Sequence, residues 1–166
     1  REAPVLAVVE GVGQRRDGVS CPVAIFSQPL GPEHVAVARV AEQLTGLGFH
    51  FLVLSPQDYL ELAADPFAVA AAVPPPWDRR GSVLPAVQLP PARQLPSIAE
   101  IATILKRPTG PTLLGAVQAL LDGSRAAWVR SAPDPDLIHG LWQLLPVRSR
   151  ADLWPASFAF SNRLQF

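Results

Sequence analysis

The sequence predicts an α/β or α+β domain with a mixed sheet of about five strands, packed helices and a long proline-rich arm. Three observations predict this class. Short β-branched runs alternate with stretches of helical periodicity. Of the 166 residues, 49% are hydrophobic and 17% are charged, which is the balance of a packed core. Proline accounts for seven of the 23 residues at 74–96, which sets that stretch apart as an arm.

The first third of the chain predicts three strands and one helix. "PVLAVVE" at 4–10 and "CPVAIFS" at 21–27 are short apolar runs on either side of a polar, glycine-containing loop. The stretch at 31–48 has valines and alanines at helical spacing and glycines near its end, so it predicts a helix. Residues 49–54, "FHFLVL", form a continuous apolar run typical of a strand buried on both faces.

Ser55 lies where that strand ends and a helix is expected to begin. In "SPQD" a hydroxyl stands at the N-cap, Pro56 takes the first helical position and Asp58 the third. A nucleophilic serine would require the tight Gly-x-Ser-x-Gly turn, and no glycine flanks Ser55. The pattern therefore indicates a helix cap, followed by a second short helical piece after Pro66.

The second half of the chain is predominantly helical in pattern. Ser97 followed by Glu100 predicts a capping box, and a second helix is expected over 110–122. Asp134 or Asp136 caps a third helix that ends at Pro146. The remaining apolar runs predict strands at "AAWVR" (126–130) and "ASFAFSNRLQF" (156–166).

The proline-rich arm at 74–96 carries the candidate interaction residues Trp77, Arg79 and Arg80. Tryptophan and arginine are enriched in protein-binding hot spots, so these side chains predict a contact with a protein partner. The alternative is that Trp77 pins the arm to the surface of its own domain. Within the arm, "VLPAVQL" is compatible with a brief edge strand.

Two basic pairs are candidate anion contacts. Arg15 and Arg16 follow two glycines in "EGVGQRRDG", and Lys106 and Arg107 stand in "LKRPTGPT". Neither stretch has the glycine spacing of a dinucleotide fold or the Gly-Lys-Ser/Thr of a phosphate loop. The first is equally typical of a hairpin loop, and the second of a junction between two helices.

No catalytic, cofactor-binding or metal-binding set emerges from the sequence. Cys21 is the single cysteine, which excludes an internal disulfide and fits a reducing, cytoplasmic compartment. His34, His50 and His139 lack metal-ligand spacing, and a Cys21–His50–Asp58 arrangement is one any such composition allows. Zero net charge argues against nucleic acid, and no long apolar run predicts a membrane span.

Two stretches resemble the N-terminal domains of bacterial GTPase-associated proteins and related multidomain proteins. They are the strand, helix start and "DPF" step from residue 49 onward with the later "LPAVQLP", and "LWQLLPVRSRADLWPASFAF". The sequence departs from that group at Ala159, where threonine is frequent. The resemblance implies an accessory or adaptor domain in a bacterial conflict or signalling system and carries over no catalytic residues.

These observations predict a single domain, 1–166, that forms the N-terminal fragment of a longer bacterial protein. The expected role is a non-catalytic interaction or regulatory module with a protein partner and no cofactor. Two alternatives stay open: a sensor for a small ligand or anion, and a hydrolase that uses a loop Ser or Cys as its nucleophile.

Overall fold

A computed structural model describes residues 18–43, 46–72, 87–89, 95–130 and 134–160. These residues form a mixed α+β fold with one sheet and six helices. The strands are β1 (Ala24–Pro29), β2 (Val35–Gln43) and β3 (Gly46–Leu54). The helices are α1 (Pro56–Glu61), α2 (Pro66–Ala71), α3 (Ile98–Leu105), α4 (Gly110–Leu121), α5 (Pro135–Leu144) and α6 (Val147–Arg150).

The sheet is antiparallel throughout, in the order β1-β2-β3. Phe26 lies opposite Ala38 in the β1–β2 ladder, and Ala38 lies opposite Phe51 in the β2–β3 ladder. β2 is the central strand, and its side chains are buried on both faces of the sheet. Val35 and Val37 face one side, and the residues that alternate with them face the other.

The prediction of a mixed sheet with about five strands is therefore wrong: the described sheet has three antiparallel strands. The helix predicted over 31–48 is also wrong, since most of that stretch forms β2 and the start of β3. A central strand that is covered on both faces is apolar at most positions. Some of its valines and alanines are therefore three or four residues apart, which is also the spacing of a helix. The β-branched valines favour the strand.

The other predicted strands have different outcomes. The run at 21–27 corresponds to β1, and the run at 49–54 to the C-terminal part of β3. The run at 156–166 contributes only one bridge among its described residues, between Ala156 and Phe26. The predicted strand at 4–10 lies outside the described residues, as does most of the arm at 74–96.

The two faces of the sheet are covered differently. Helices α1 and α2 pack on one face, where Tyr59, Leu62 and Val69 contact Val35 and Val37 of β2. The other face is rich in phenylalanine and is covered by the chain near its described C-terminal end. Its rings belong to Phe26, Phe49 and Phe51 from the sheet and to Phe158 and Phe160 from that covering segment. We refer to it as the phenylalanine face.

The helix starts follow the predicted capping chemistry. The hydroxyl of Ser55 accepts from the backbone N–H of Asp58 at 3.1 Å, and Ser97 and Glu100 form the expected capping box. Of the two candidates for the α5 cap, Asp134 is the N-cap, and its carboxylate accepts from the backbone N–H of Leu137. Helices α3, α4 and α5 then enclose a separate apolar cluster around Ile104 and Leu113. Local sequence thus determines where these helices begin.

Candidate functional site

The described residues contain a cleft of about 280 Å³ between the end of α4, helix α5 and the chain that follows α6. Its apolar walls include Leu120, Ile138 and three of the four tryptophans: Trp128, Trp142 and Trp154. Trp142 is buried, whereas Trp128 and Trp154 are only partly covered. Small-molecule sites usually begin at about 300 Å³, so a cleft of this size fits one large side chain or a small fragment.

Arg125 and Asp152 also line this tryptophan cleft, and both are exposed. They supply one positive and one negative group to a surface that is otherwise largely apolar. An apolar recess with a few polar groups is the usual composition of a binding site for a side chain or small ligand.

The inner wall of the cleft is fixed by a buried hydrogen bond. The indole Nε1–H of Trp142, on α5, donates to the carbonyl oxygen of Ala64 at 2.8 Å. Ala63 and Ala64, between α1 and α2, both have positive φ, of 58° and 46°. This left-handed backbone is unfavourable for alanine and persists only where surrounding contacts fix it.

Arg150 supplies further contacts to the same junction. It is only 3% exposed, and its guanidinium donates to the carbonyl oxygens of Leu145 at 2.9 Å, Gln143 at 3.3 Å and Ala63 at 3.4 Å. Gln143 and Leu145 lie at the C-terminal end of α5, where carbonyl groups lack helical partners. Arg150 therefore caps α5 and ties it to the strained turn between α1 and α2.

Tyr59 lies next to this junction, on α1. Its hydroxyl is 3.3 Å from the hydroxyl of Ser27 on β1, and both residues are buried. Burial raises the pKa of Tyr59 well above its usual value, and the hydrogen bond to Ser27 and the positive charge of Arg150 oppose that rise only in part. The phenol is therefore a protonated structural group at neutral pH.

Residues 126–130 form an unpaired segment at the edge of the cleft. The segment contains no helix, strand, turn or bend. Burial alternates along it: Ala126 and Trp128 are partly buried and line the cleft, whereas Ala127 and Val129 are exposed. No backbone hydrogen bond joins residues 126–130 to another described residue. The predicted strand "AAWVR" thus has the side-chain alternation of a strand without a neighbouring strand in the described fold.

The sequence-predicted site residues are only partly described. Lys106 is the C-cap of α3 and Arg107 follows it, and both are exposed. Positive charge is favourable at a helix C-terminus, which gives these two cations a structural role there. Trp77, Arg79, Arg80, Arg15 and Arg16 lie outside the described residues.

The candidate nucleophiles and their suggested partners are separated. Ser55 donates its hydroxyl proton to Asp58 at 2.8 Å, as expected for its cap. Cys21 is buried on the phenylalanine face, and burial together with the nearby charge of Glu42 raises the pKa of its thiol, which lowers its nucleophilicity. Since Phe49 and Phe51 point to that face, the intervening His50 points to the opposite one. The structure does not bring Cys21, His50 and Asp58 together.

Neither the described residues nor known proteins assign a metal site, a membrane span or a family to this chain. Among the described residues, no group of three or more His, Cys, Asp or Glu side chains is placed to hold a metal ion. None of the helices in this described part is long and apolar enough to cross a membrane. Neither a protein family, nor a curated protein, nor a solved structure matches the chain.

The tryptophan cleft could not be predicted from the sequence because its residues are far apart along the chain. Of its three tryptophans, only Trp142 is buried, and Trp128 and Trp154 are partly exposed. A usable signal was present in "AAWVR": an apolar stretch too short to fill a core, with one arginine at its end. That pattern is typical of an edge segment, but it does not identify the helices that face it.

Proposed function

We propose that this domain is a protein-interaction module of a larger bacterial protein, and that it binds an extended segment of a partner protein. The partner segment lies along residues 126–130 and inserts one apolar side chain into the tryptophan cleft. One observation carries the proposal: residues 126–130 have the alternating burial of an extended chain, place Ala126 and Trp128 in the wall of the cleft and make no backbone hydrogen bond to another described residue.

The chemistry of this site matches recognition by strand addition. An extended segment without backbone partners in the described part of the fold offers N–H and C=O groups in the spacing that a second extended chain satisfies, and a neighbouring recess selects alternate side chains. Trp128 and Trp154 supply the large contact area that is characteristic of hot spots. The resemblance to GTPase-associated proteins leads to the further expectation that the partner belongs to a bacterial conflict or signalling system.

The test is a selection of random displayed peptides on the 166-residue domain, followed by affinity measurements on the enriched sequences. Two variants address the two elements of the site. Trp128→Ala removes a wall of the cleft, and Val129→Pro removes a backbone donor at a side chain that is fully exposed. Each should weaken binding by at least about tenfold, the loss expected for one hot-spot contact.

Leu114→Ala is the matched control, because Leu114 is an exposed apolar residue of α4 outside the cleft. Its affinity should equal that of the wild type. Peptides that bind Trp128→Ala and Val129→Pro as tightly as the wild type would refute this site. Loss of binding only in the Trp77→Ala, Arg79→Ala, Arg80→Ala triple variant would assign the interaction to the proline-rich arm instead.

A further inference from the structure

Asp152 places a carboxylate at the tryptophan cleft. It lines the cleft from the chain that follows α6, two residues before Trp154, and it is exposed. Its backbone N–H bonds to the carbonyl oxygen of Ser149, but its carboxylate has no hydrogen-bond or ion-pair partner among the described residues. Nothing in the described part of the fold therefore requires an acidic side chain at this position.

The two arginines at the cleft and its edge segment differ from Asp152, because both interact within the chain. Arg130, at the end of 126–130, lies 4.0 Å from the carboxylate of Asp134. Arg125 lines the cleft just before that segment and also takes part in an interaction within the chain. Of these three charged residues, Asp152 is the one without a side-chain partner in the described residues, so the charge left for a binding partner to neutralise is negative.

We propose that the partner segment carries an arginine or lysine two positions from the apolar side chain that enters the cleft, and that this basic residue pairs with Asp152. The inference rests on the proposed function and names the chemistry of its partner. In an extended chain, residues two positions apart point to the same side and are separated by roughly 7 Å. Asp152 lines the same small cleft as Trp128, so a long basic side chain at that spacing reaches its carboxylate.

The surroundings of Asp152 suit a basic side chain. Arginine and lysine pack their aliphatic stems on apolar surface while the charged group stays in water. Trp154 is partly exposed and lines the same wall as Asp152, so it supplies such a surface, and cations are also attracted to indole rings. Because Asp152 is exposed, the ion pair forms without the cost of burying a charge.

Asp152 contributes to the choice of partner more than to the affinity. An exposed ion pair changes a dissociation constant by only about two- to fivefold, whereas one hot-spot tryptophan changes it by at least about tenfold. An acidic residue at the same position of the partner would be repelled by Asp152. The tryptophans thus set how tightly a segment binds, and Asp152 discriminates between segments of opposite charge.

Parallel selections of random displayed peptides on the wild-type and Asp152→Lys domains test the charge. The wild type should enrich arginine or lysine two positions from an apolar residue, and Asp152→Lys should enrich aspartate or glutamate there. Glu33→Lys is the matched control, because Glu33 is an exposed acid of the turn between β1 and β2 and does not line the cleft. It should enrich the same basic residue as the wild type. For a peptide enriched on the wild type, Asp152→Asn should weaken binding about two- to fivefold at low salt and less at high salt, and Glu33→Gln should leave it unchanged.

The outcomes separate this inference from the proposed function. Peptides that lose affinity in Trp128→Ala, but carry no basic residue at that spacing and bind Asp152→Asn as tightly as the wild type, overturn the inference and leave the proposed function standing. Peptides that Trp128→Ala and Val129→Pro leave unaffected refute the proposed function and this inference with it. Enrichment of an acidic residue on the wild type, lost in Arg125→Ala, assigns the charged contact to Arg125 and also overturns the inference. Binding of acidic peptides by Asp152→Lys shows at the same time that this variant is folded.

Discussion

Replacing Arg150 tests whether the junction beneath the cleft depends on one guanidinium. Arg150→Lys keeps the positive charge but cannot span three carbonyl groups that belong to Leu145, Gln143 and Ala63. Lysine can retain one of them, and each buried acceptor left without a donor costs about 1–3 kcal/mol. Two of the three bonds are long, at 3.3 and 3.4 Å, so they contribute at the lower end of that range. We therefore expect a loss of about 2–4 kcal/mol in the free energy of unfolding.

The assay is urea unfolding followed by circular dichroism and by tryptophan fluorescence, since Trp142 lies at the same junction. Arg148→Lys is the matched control, because Arg148 belongs to the same helix and is exposed, and it should change stability by less than about 0.5 kcal/mol. If Arg150→Lys is no more destabilising than Arg148→Lys, the three carbonyl contacts do not stabilise the junction, and the argument fails.

Three further predictions concern the fold. Gly110→Ala should lower the free energy of unfolding by about 1–3 kcal/mol, because the new Cβ would collide with the carbonyl of Leu105. Gly140→Ala should raise it by about 0.5–1 kcal/mol, because a Cβ there meets ordinary contacts and alanine favours the helix. Urea unfolding measures both changes. The pKa of Tyr59 is higher in the folded state than in the unfolded state, where it is near 10. The protonated phenol therefore contributes fully to the free energy of unfolding below about pH 10, and this contribution is lost as pH rises further. Tyr59 is the single tyrosine, so tyrosinate absorbance should appear only with unfolding; titration at the usual tyrosine pKa in the folded state would contradict this. Ser55→Ala should cost about 1 kcal/mol through loss of the α1 cap, with Ser55→Thr, which keeps the hydroxyl, closer to wild type in thermal unfolding.

Local signals in the sequence were sufficient to predict most of the helices. The caps at Ser55, Ser97 and Asp134 depend on residues within three positions of each other, so the sequence alone identifies them. β2 could not be predicted in this way. Its burial on both faces arises because helices α1 and α2 cover one face and the segment with Phe158 and Phe160 covers the other, and this removes the alternation that marks a half-buried strand.

The candidate site was harder to predict from the sequence than the fold. Trp128, Trp142 and Trp154 line one cleft because α5 and two distant chain segments meet in the fold, and Trp142 and Arg150 bond α5 and α6 to the Ala63–Ala64 turn. Left-handed φ values at two consecutive alanines have no sequence signature, since glycine is the residue that normally marks such a turn. Contacts of this kind follow from tertiary packing and not from local propensity.

Hydrogen–deuterium exchange of the amides at 126–130 tests the proposed function most directly. The domain alone should exchange these amides rapidly, because they lack backbone partners among the described residues. With a peptide enriched on the wild-type domain, their exchange should slow markedly as a partner strand satisfies them, and Trp128→Ala should abolish the effect. Unchanged exchange at 126–130 in a saturated complex would contradict the account.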